Sequence, residues 1–375
     1  MNRILFNGLI YEKNGAGISR YAYKLMDTFI EQNYPIDLLI RADNGDKLKG
    51  KNVHIVEKDI ASSSKRIIEE QIKQINKYKN YDLVHFPDYA TPILYNGLKI
   101  ATVHDMAMHT MSDKYTLIQN ITKKILLKET IKHADYLICD SHFAKEEILS
   151  YYPQVEDKVE VVHLGIDVPS KEIHMIKNDE EEIKVLHQLG IKECFMLYVG
   201  TIAPHKNIVK LIEAFDRVRK KGYAYQLVIV GKKGWMYEEV FEIVQNKGLE
   251  QVVVFTDYIS DNTLEVLYHL ASFFVSVSLY EGFGFPPLEA MARGCATLVS
   301  DIKVFRETCG DAAIYCKPND DRDIASQMVR LIESNELRNG LKEKGIRQVQ
   351  RFDWKYTAEK VYKIYKKLLE EKKER

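Results

Sequence analysis

Short apolar runs alternate with amphipathic stretches along most of the chain. Runs at 3–10, 36–41, 53–57, 82–86, 100–103, 136–139 and 159–163 are rich in Ile, Leu and Val and have the length of buried strands. Between them, helical spacing runs from Ser19, read as an N-cap, to about Gln32, and over 65–79, 115–133 and 143–151. A polar stretch at 171–188, with four acids at 179–182, breaks the pattern and marks an interdomain linker. Alternation then resumes, with strands at 194–199, 226–230, 252–255, 272–279, 296–300 and 312–315. Asn207 is placed to cap a helix that buries Leu211, Ala214, Phe215 and Val218. Asp261 or Asn262 opens another helix, running to Leu270. Pro286 and Pro287 suit the first turn of a third, which needs no backbone donors, and Gly294 stops it. The segment 301–307 reads as loop, and a long basic helix follows Trp354. Strand–helix alternation predicts parallel sheets with helices on both faces. The expected class is therefore α/β, with two doubly wound parallel-sheet domains, 1–175 and 176–355.

At 375 residues the chain exceeds one ordinary core, which agrees with two domains. Its 54 basic and 54 acidic residues balance, so no global charge favours nucleic acid. Five cysteines, without metal-ligand spacing, read as reduced thiols of a cytoplasmic protein. The N-terminus leads into a strand rather than a signal peptide, and no apolar run approaches the ~20 residues of a membrane span.

The most informative chemistry lies in 272–300. A loop after a parallel strand sits at the carboxyl edge of its sheet, where open α/β sheets bind ligands. Glu281 opens this loop and Glu289 follows in the first turn of the helix. The amides of Gly282, Phe283 and Gly284 can approach a ligand closely, because glycine has no side chain. Acids accept from hydroxyls and amides donate to oxygens, so a sugar or a ribose fits. The plainer reading is that Glu289 complements the helix dipole and Glu281 is a solvated acid.

Other carboxyl-edge candidates are weaker taken singly. Gly15 and Gly17 precede a helix whose free amides suit an anion, although a tight turn explains them equally well. The dinucleotide fingerprint is absent, which disfavours a nicotinamide dehydrogenase. His85 and His104 end strands, where a hydrogen-bonded structural role is the commoner one; Asp105 either orients an imidazole or caps the next turn. Ser141 is most simply an N-cap. Lys206 stands at a helix N-terminus, a good place for a diphosphate. Asp321-Arg322-Asp323 has the look of a metal signature, but its position at a helix start is explained better by dipole complementarity, and no essential metal or cofactor is expected. The helix 114–133 carries Lys114, Lys123, Lys124, Lys128 and Lys132; it is either a solvated basic face or a peripheral contact for an anionic membrane surface.

Glu281-Gly-Phe-Gly-Phe-Pro-Pro-Leu-Glu289, continuing Ala290-Met-Ala-Arg-Gly294, resembles the paired-glutamate motif of retaining glycosyltransferases of family four, which have the GT-B fold. The resemblance spans nearly the full chain and is strongest over 195–313. It implies two Rossmann-like domains facing across a cleft, the first completed by the C-terminal helix 356–375. It also implies that Glu281 and the loop 282–285, Phe285 included, hold a donor sugar, and that Glu289 holds the ribose. Gly15-Ala-Gly17-Ile-Ser-Arg-Tyr21 is similar to the family's glycine-rich loop, which faces donor phosphates or acceptor. Thr102-Val-His104-Asp105 is similar to a string whose His lies beside the donor sugar. Tyr198-Val-Gly-Thr-Ile-Ala-Pro-His-Lys-Asn207 resembles the phosphate loop, with Lys206 matching the family lysine. Thr201 stands where the family commonly has Arg, and neighbouring His205 offers a partial substitute. Tyr258 and Ile259 fall in the loop that holds the nucleobase, mostly through backbone.

The implied reaction moves a sugar from a nucleotide diphosphate sugar to a hydroxyl of a glycan or lipid-linked acceptor, without nucleic acid as a partner. Resemblance to mannosyltransferases of bacterial surface polysaccharide, such as lipopolysaccharide, puts GDP-mannose first and UDP- or dTDP-sugars second. A nucleotide-sugar epimerase is disfavoured by the Glu281/Glu289 string. A non-catalytic sugar-nucleotide-binding subunit gains weight from Thr201.

Overall fold

The computed structural model describes residues 2–12, 15, 17–42, 48, 52–56, 63–110, 117–169, 179–192 and 194–374. Two compact units emerge: residues 1–165 with 352–375, and residues 166–351. Each is built around one all-parallel sheet. In the first unit the strands are β1 (Ile4–Asn7), β2 (Asp37–Arg41), β3 (Val53–Val56), β4 (Leu83–Phe86), β5 (Lys99–Thr102), β6 (Tyr136–Cys139) and β7 (Val159–Val161), ordered β3-β2-β1-β4-β5-β6-β7. In the second they are β8 (Phe195–Val199), β9 (Gln226–Val230), β10 (Val253–Asp257), β11 (Phe273–Ser276), β12 (Thr297–Ser300) and β13 (Ala313–Cys316), ordered β10-β9-β8-β11-β12-β13. Strand order reverses between β1 and β4 and between β8 and β11. Doubly wound sheets open a ligand crevice at such a point, outside the carboxyl ends.

The strands are apolar throughout because both faces are covered. Leu5, Leu39 and Val84 are shut off from solvent in the first unit, and Phe195, Leu197, Phe273 and Phe274 in the second. Each such side chain contributes roughly 1.5–3 kcal/mol of transfer free energy. The helix Ile208–Lys220 buries the expected Leu211, Ala214, Phe215 and Val218. The C-terminal helix Trp354–Glu374 packs within the first unit. Its Tyr365 meets His85, Tyr362 lies 4.7 Å from Tyr34, and Thr357 Oγ1 donates to His163 O at 2.8 Å.

Several local expectations are corrected. The run 3–10 is a strand only to Asn7, and Gly8–Ile10 form a 3-10 turn. The run 272–279 pairs only to Ser276; beyond it Leu279 N donates to His205 O at 2.8 Å, so the chain has already turned into the loop. The segment 301–307 is no loop: helix Lys303–Cys309 puts Val304, Phe305, Thr308 and Cys309 on one buried face, and Gly310 ends it with positive φ. The polar stretch 171–188 becomes a helix from Asp179 to Gln188, with Leu186 buried in the second unit's core, while 171–178 lie outside the described residues. Lys114 likewise lies outside them, and the basic helix runs Leu117–His133. Among the described residues no helix is long and apolar enough to cross a membrane.

Candidate active site

The second unit gathers its candidates at the carboxyl ends of β8, β9, β10 and β11. After β8 the chain passes Gly200 and Thr201 and makes a 3-10 turn, Pro204–Lys206. Asn207 follows in the left-handed region (φ 58°). It does occupy the N-cap position, but its side chain makes no cap. Nδ2 donates to Val277 O at 3.1 Å and to Pro318 O at 2.7 Å, which staples the turn to the end of β11. That staple brings Lys206 onto the glutamate loop. Lys206 Nζ lies 2.6 Å from Glu281 Oε1, and Ser278 Oγ donates to the same oxygen at 2.8 Å. The lysine and glutamate side chains are only 15% and 13% exposed, so the pair is little screened. Two residues separated by 75 positions thus form one charged unit.

The helix after the loop spans Phe285–Ala292, one residue earlier than the prolines suggested. Gly284 caps it at φ 91°, and a Cβ there would lie 2.6 Å from Phe305 Cε1. Only glycine satisfies both the backbone and the space. Phe283 is buried and meets Phe285 edge-on at 5.6 Å. Glu289 is therefore the fifth residue of the helix, in its second turn rather than its first. It is 4% exposed and accepts from Tyr268 OH at 3.2 Å, so it is not a solvated dipole partner.

The β9 loop was not singled out from sequence. Ile202 N donates to Lys232 O at 3.0 Å and Gly234 N to Ile202 O at 2.9 Å, so residues 232–234 run beside the Thr201 turn. Gly231 must be glycine, because a Cβ would sit 2.0 Å from Gly200 O. Trp235 stacks on His205 with ring centroids 5.1 Å apart, and Lys232 Nζ lies 4.9 Å from the Tyr258 ring. Tyr258 is half exposed and Ile259 packs on the core. Paired lysines and a tryptophan directly after a strand were the available signal. The acids at 321–323 are engaged locally: Asp321 pairs with Arg217, Asp320 caps the helix, and Asp323 accepts from Lys317 N.

The first unit holds the other candidates. Gly17 (φ 57°), not Ser19, caps the helix Ile18–Glu31. Ser19 Oγ instead closes the glycine turn onto Glu12, accepting from its N–H at 2.8 Å and donating to its carbonyl at 3.1 Å. A Cβ on Gly15 would strike that hydroxyl at 2.3 Å. Ser141 caps the helix His142–Tyr151 as expected, accepting from Ala144 N at 3.0 Å. Asp105 caps a turn through Ala107 N and does not orient His104. Asp140 does that. His104 Nδ1 lies 2.5 Å from Asp140 Oδ2, and Nε2 donates to Pro87 O at 3.0 Å. Parallel register explains the meeting: β5 and β6 pair Thr102 with Ile138, which sets residues 104 and 140 level past the strand ends.

His85 is the structural histidine. It is fully buried, bonding Thr102 Oγ1 at 2.8 Å through Nε2 and Tyr365 OH at 2.5 Å through Nδ1, and Thr102 also meets Tyr21 OH at 3.0 Å. Burial, with His104 close by, pulls its pKa down to about 3, so it is neutral. At the β1/β4 crevice Asn7 donates to Glu70 at 3.0 Å, and Arg66 bridges Glu70 and Asp88 at 3.3 and 2.9 Å.

Comparison with known proteins finds a family match for each half of the chain. Residues 15–169 match the model described as Glycosyltransferase Family 4, and residues 179–348 the model described as Glycosyl transferases group 1. An O-antigen chain mannosyltransferase B of Escherichia coli is 26% identical over 78% of this chain and 76% of its own. The O-antigen chain mannosyltransferase RfbU of Salmonella typhimurium is 29% identical over 83% and 85%. Among solved structures, sucrose-phosphate synthase from Thermosynechococcus elongatus superposes with a TM-score of 0.78 at 19% identity, covering 98% of this chain and 99% of that one. With both halves matched in order and both sheets of the expected kind, the chain belongs to the family-four glycosyltransferases of GT-B fold and is a glycosyltransferase enzyme.

Proposed function

We propose that this enzyme is a retaining hexosyltransferase of cell-surface polysaccharide synthesis, moving mannose from GDP-mannose to a hydroxyl of a glycan or lipid-linked acceptor. The observation that carries the reading is the Lys206–Glu281 pair, set between a phosphate turn and a glycine loop on one sheet edge. Lys206 and the loop amides take the diphosphate and stabilise it as the glycosidic bond breaks and negative charge gathers on the departing oxygen. Both contacts on Glu281 fall on Oε1, so Oε2 is assigned to the sugar hydroxyls. Glu289, buried behind the loop, takes the ribose. Gly15, Gly17 and His104 are the first unit's own candidates for ligand contact. Lys232, beside Thr201, adds a cation near the place of the missing arginine. No side chain is assigned as nucleophile; the departing phosphate accepts the acceptor's proton. The two O-antigen mannosyltransferases support mannose and the surface-polysaccharide setting.

A peripheral membrane contact belongs to the same proposal. Ile121 and Ile125, each about half exposed, share a helical stripe with exposed Lys128 and Lys132. Apolar anchors beside lysines suit an anionic bilayer surface carrying a lipid-linked acceptor.

Thermal melting with GDP, UDP, dTDP and ADP tests the donor. At ~100 times Kd a nucleotide adds roughly 2.7 kcal/mol, a readable shift. Stabilisation by GDP followed by transfer from GDP-mannose supports the reading. Response to UDP or dTDP alone reassigns the donor, and response to none removes the diphosphate role given to Lys206 and its turn.

A further inference from the structure

His104 leaves the end of β5 with both ring nitrogens on oxygen acceptors. Pro87 O can only accept, so Nε2 carries a proton. Nδ1 faces Asp140 Oδ2 at 2.5 Å, and one proton lies between them. Ordinary values of about 3.9 for Asp and 6.5 for His place that proton on the ring. Asp140 is 2% exposed and directly follows β6, so it is fixed by the strand. The Tyr21 ring packs edge-on against the imidazole at 4.8 Å, and Tyr21 is itself held by Thr102.

We propose that Asp140 is a positioning residue that keeps His104 an imidazolium, so that Nε2–H serves the reaction as a hydrogen-bond donor and His104 is not its general base. On donor binding, Nε2–H exchanges Pro87 O for a sugar hydroxyl oxygen. That last assignment rests on the transferase reading; the protonation state does not.

The surroundings pull on the pair in both directions. Burial opposes a charge on the ring, but Asp140, the Pro87 carbonyl and Asp88 beyond β4 hold the imidazolium up at about 9. His85 on β4 is neutral and adds no competing cation. Burial, with Asp105, leaves the Asp140 carboxyl above its ordinary value although His104, helped by His163 beyond β7, pulls it down. The proton on the Nδ1–Oδ2 line stays on the ring, whose second bond, to Pro87 O, supports the charged form.

The test has two arms, on wild type, Asp140→Asn and Asp140→Glu. Long-range 1H–15N correlation of the imidazole reads protonation without any transfer. Expected is a wild-type His104 ring with both nitrogens protonated at pH 7 and titrating near 9, with the Asn variant titrating below 7. A wild-type ring with one bare nitrogen at pH 7 overturns the proposal. In the second arm, transfer is followed from pH 5.5 to 9.5. Asp140→Asn should lose at least tenfold more rate at pH 8 than at pH 6, and Asp140→Glu should restore the alkaline limb. An equal loss at every pH assigns Asp140 a structural role only, and a wild-type rate that climbs as His104 deprotonates makes it a base; either result sinks the proposal. If the Asn variant does not fold, the wild-type and Glu spectra decide. If no nucleotide sugar supports transfer, the transferase reading fails while the resonance arm still rules on His104.

Discussion

Replacing Lys206 with Met keeps the aliphatic stem and removes the charge, which isolates the pair with Glu281. In the native protein the ammonium makes a 2.6 Å charge-assisted bond to Oε1 in a site where both side chains are about six-sevenths covered. Hydrogen bonds to charged groups are worth about 1.5–3 kcal/mol net. Deleting one partner also leaves a largely desolvated carboxylate supported by Ser278 alone, which costs more than the bond itself. Lys206→Met should therefore destabilise the second unit by about 2–4 kcal/mol. Glu281→Gln, which still accepts from Ser278 and Lys206, should cost about half that. If the two residues form one unit, the double variant costs less than the sum, with a coupling of about 1–2 kcal/mol. Urea unfolding reads this cleanly, because Trp235 lies in the second unit and Trp354 in the first; a Trp354→Phe background leaves Trp235 as the reporter. Transfer should fall by roughly 10²–10³ in Lys206→Met, the loss seen when one preorganised transition-state donor is removed. Strict additivity with single effects below ~0.5 kcal/mol would refute the structural argument. Undiminished transfer by the folded variant would refute the catalytic one.

Gly284→Ala should cost about 2–4 kcal/mol, combining positive-φ strain with a methyl pressed on fully buried Phe305; adding Phe305→Ala should relieve the clash but not the strain. His85 contributes a pH dependence with a definite sign. Its folded pKa, about 3, lies below the unfolded value, so the unfolded chain binds more protons and stability falls as pH drops from about 6.5 towards 3. The stability difference between wild type and His85→Gln, followed by chemical unfolding, should shrink across that window, and a flat difference would show that His85 is not held neutral. Ile121→Asp with Ile125→Asp should abolish sedimentation with vesicles rich in anionic lipid and leave transfer to a soluble acceptor intact; unchanged sedimentation would remove the membrane contact from the proposal.

Sequence and structure divide their information in a physically sensible way. Strand and helix existence was legible because buried parallel strands must be apolar on both faces. Runs such as 226–230 therefore announce themselves, whereas their ends do not: a strand stops where its neighbour stops, as at Ser276. Side-chain capping was read less well. Asn207 and Ser19 are residues that favour caps, yet each found a nearer partner in folded space, Asn207 on Val277 and Pro318 and Ser19 on Glu12. Helix Lys303–Cys309 was missed because charged Arg306 and Glu307 masked a one-sided apolar face.

By itself, the chain's order of residues determined the two α/β halves, the glycine loop between Glu281 and Glu289, and Lys206 in the turn that follows β8. These are local properties, set by periodicity, by residues that allow special backbone, and by a strand always delivering its next loop to the same sheet edge. Only the tertiary structure decided which distant groups meet. Register between β5 and β6 sets Asp140 beside His104, the Asn207 staple sets Lys206 on Glu281, and pairing of the β8 and β9 loops sets Trp235 on His205. Charge states follow from those meetings. A histidine in a sequence has one ordinary pKa, and burial drives His85 neutral while a carboxylate keeps His104 charged, two fates that strand-end position alone does not distinguish.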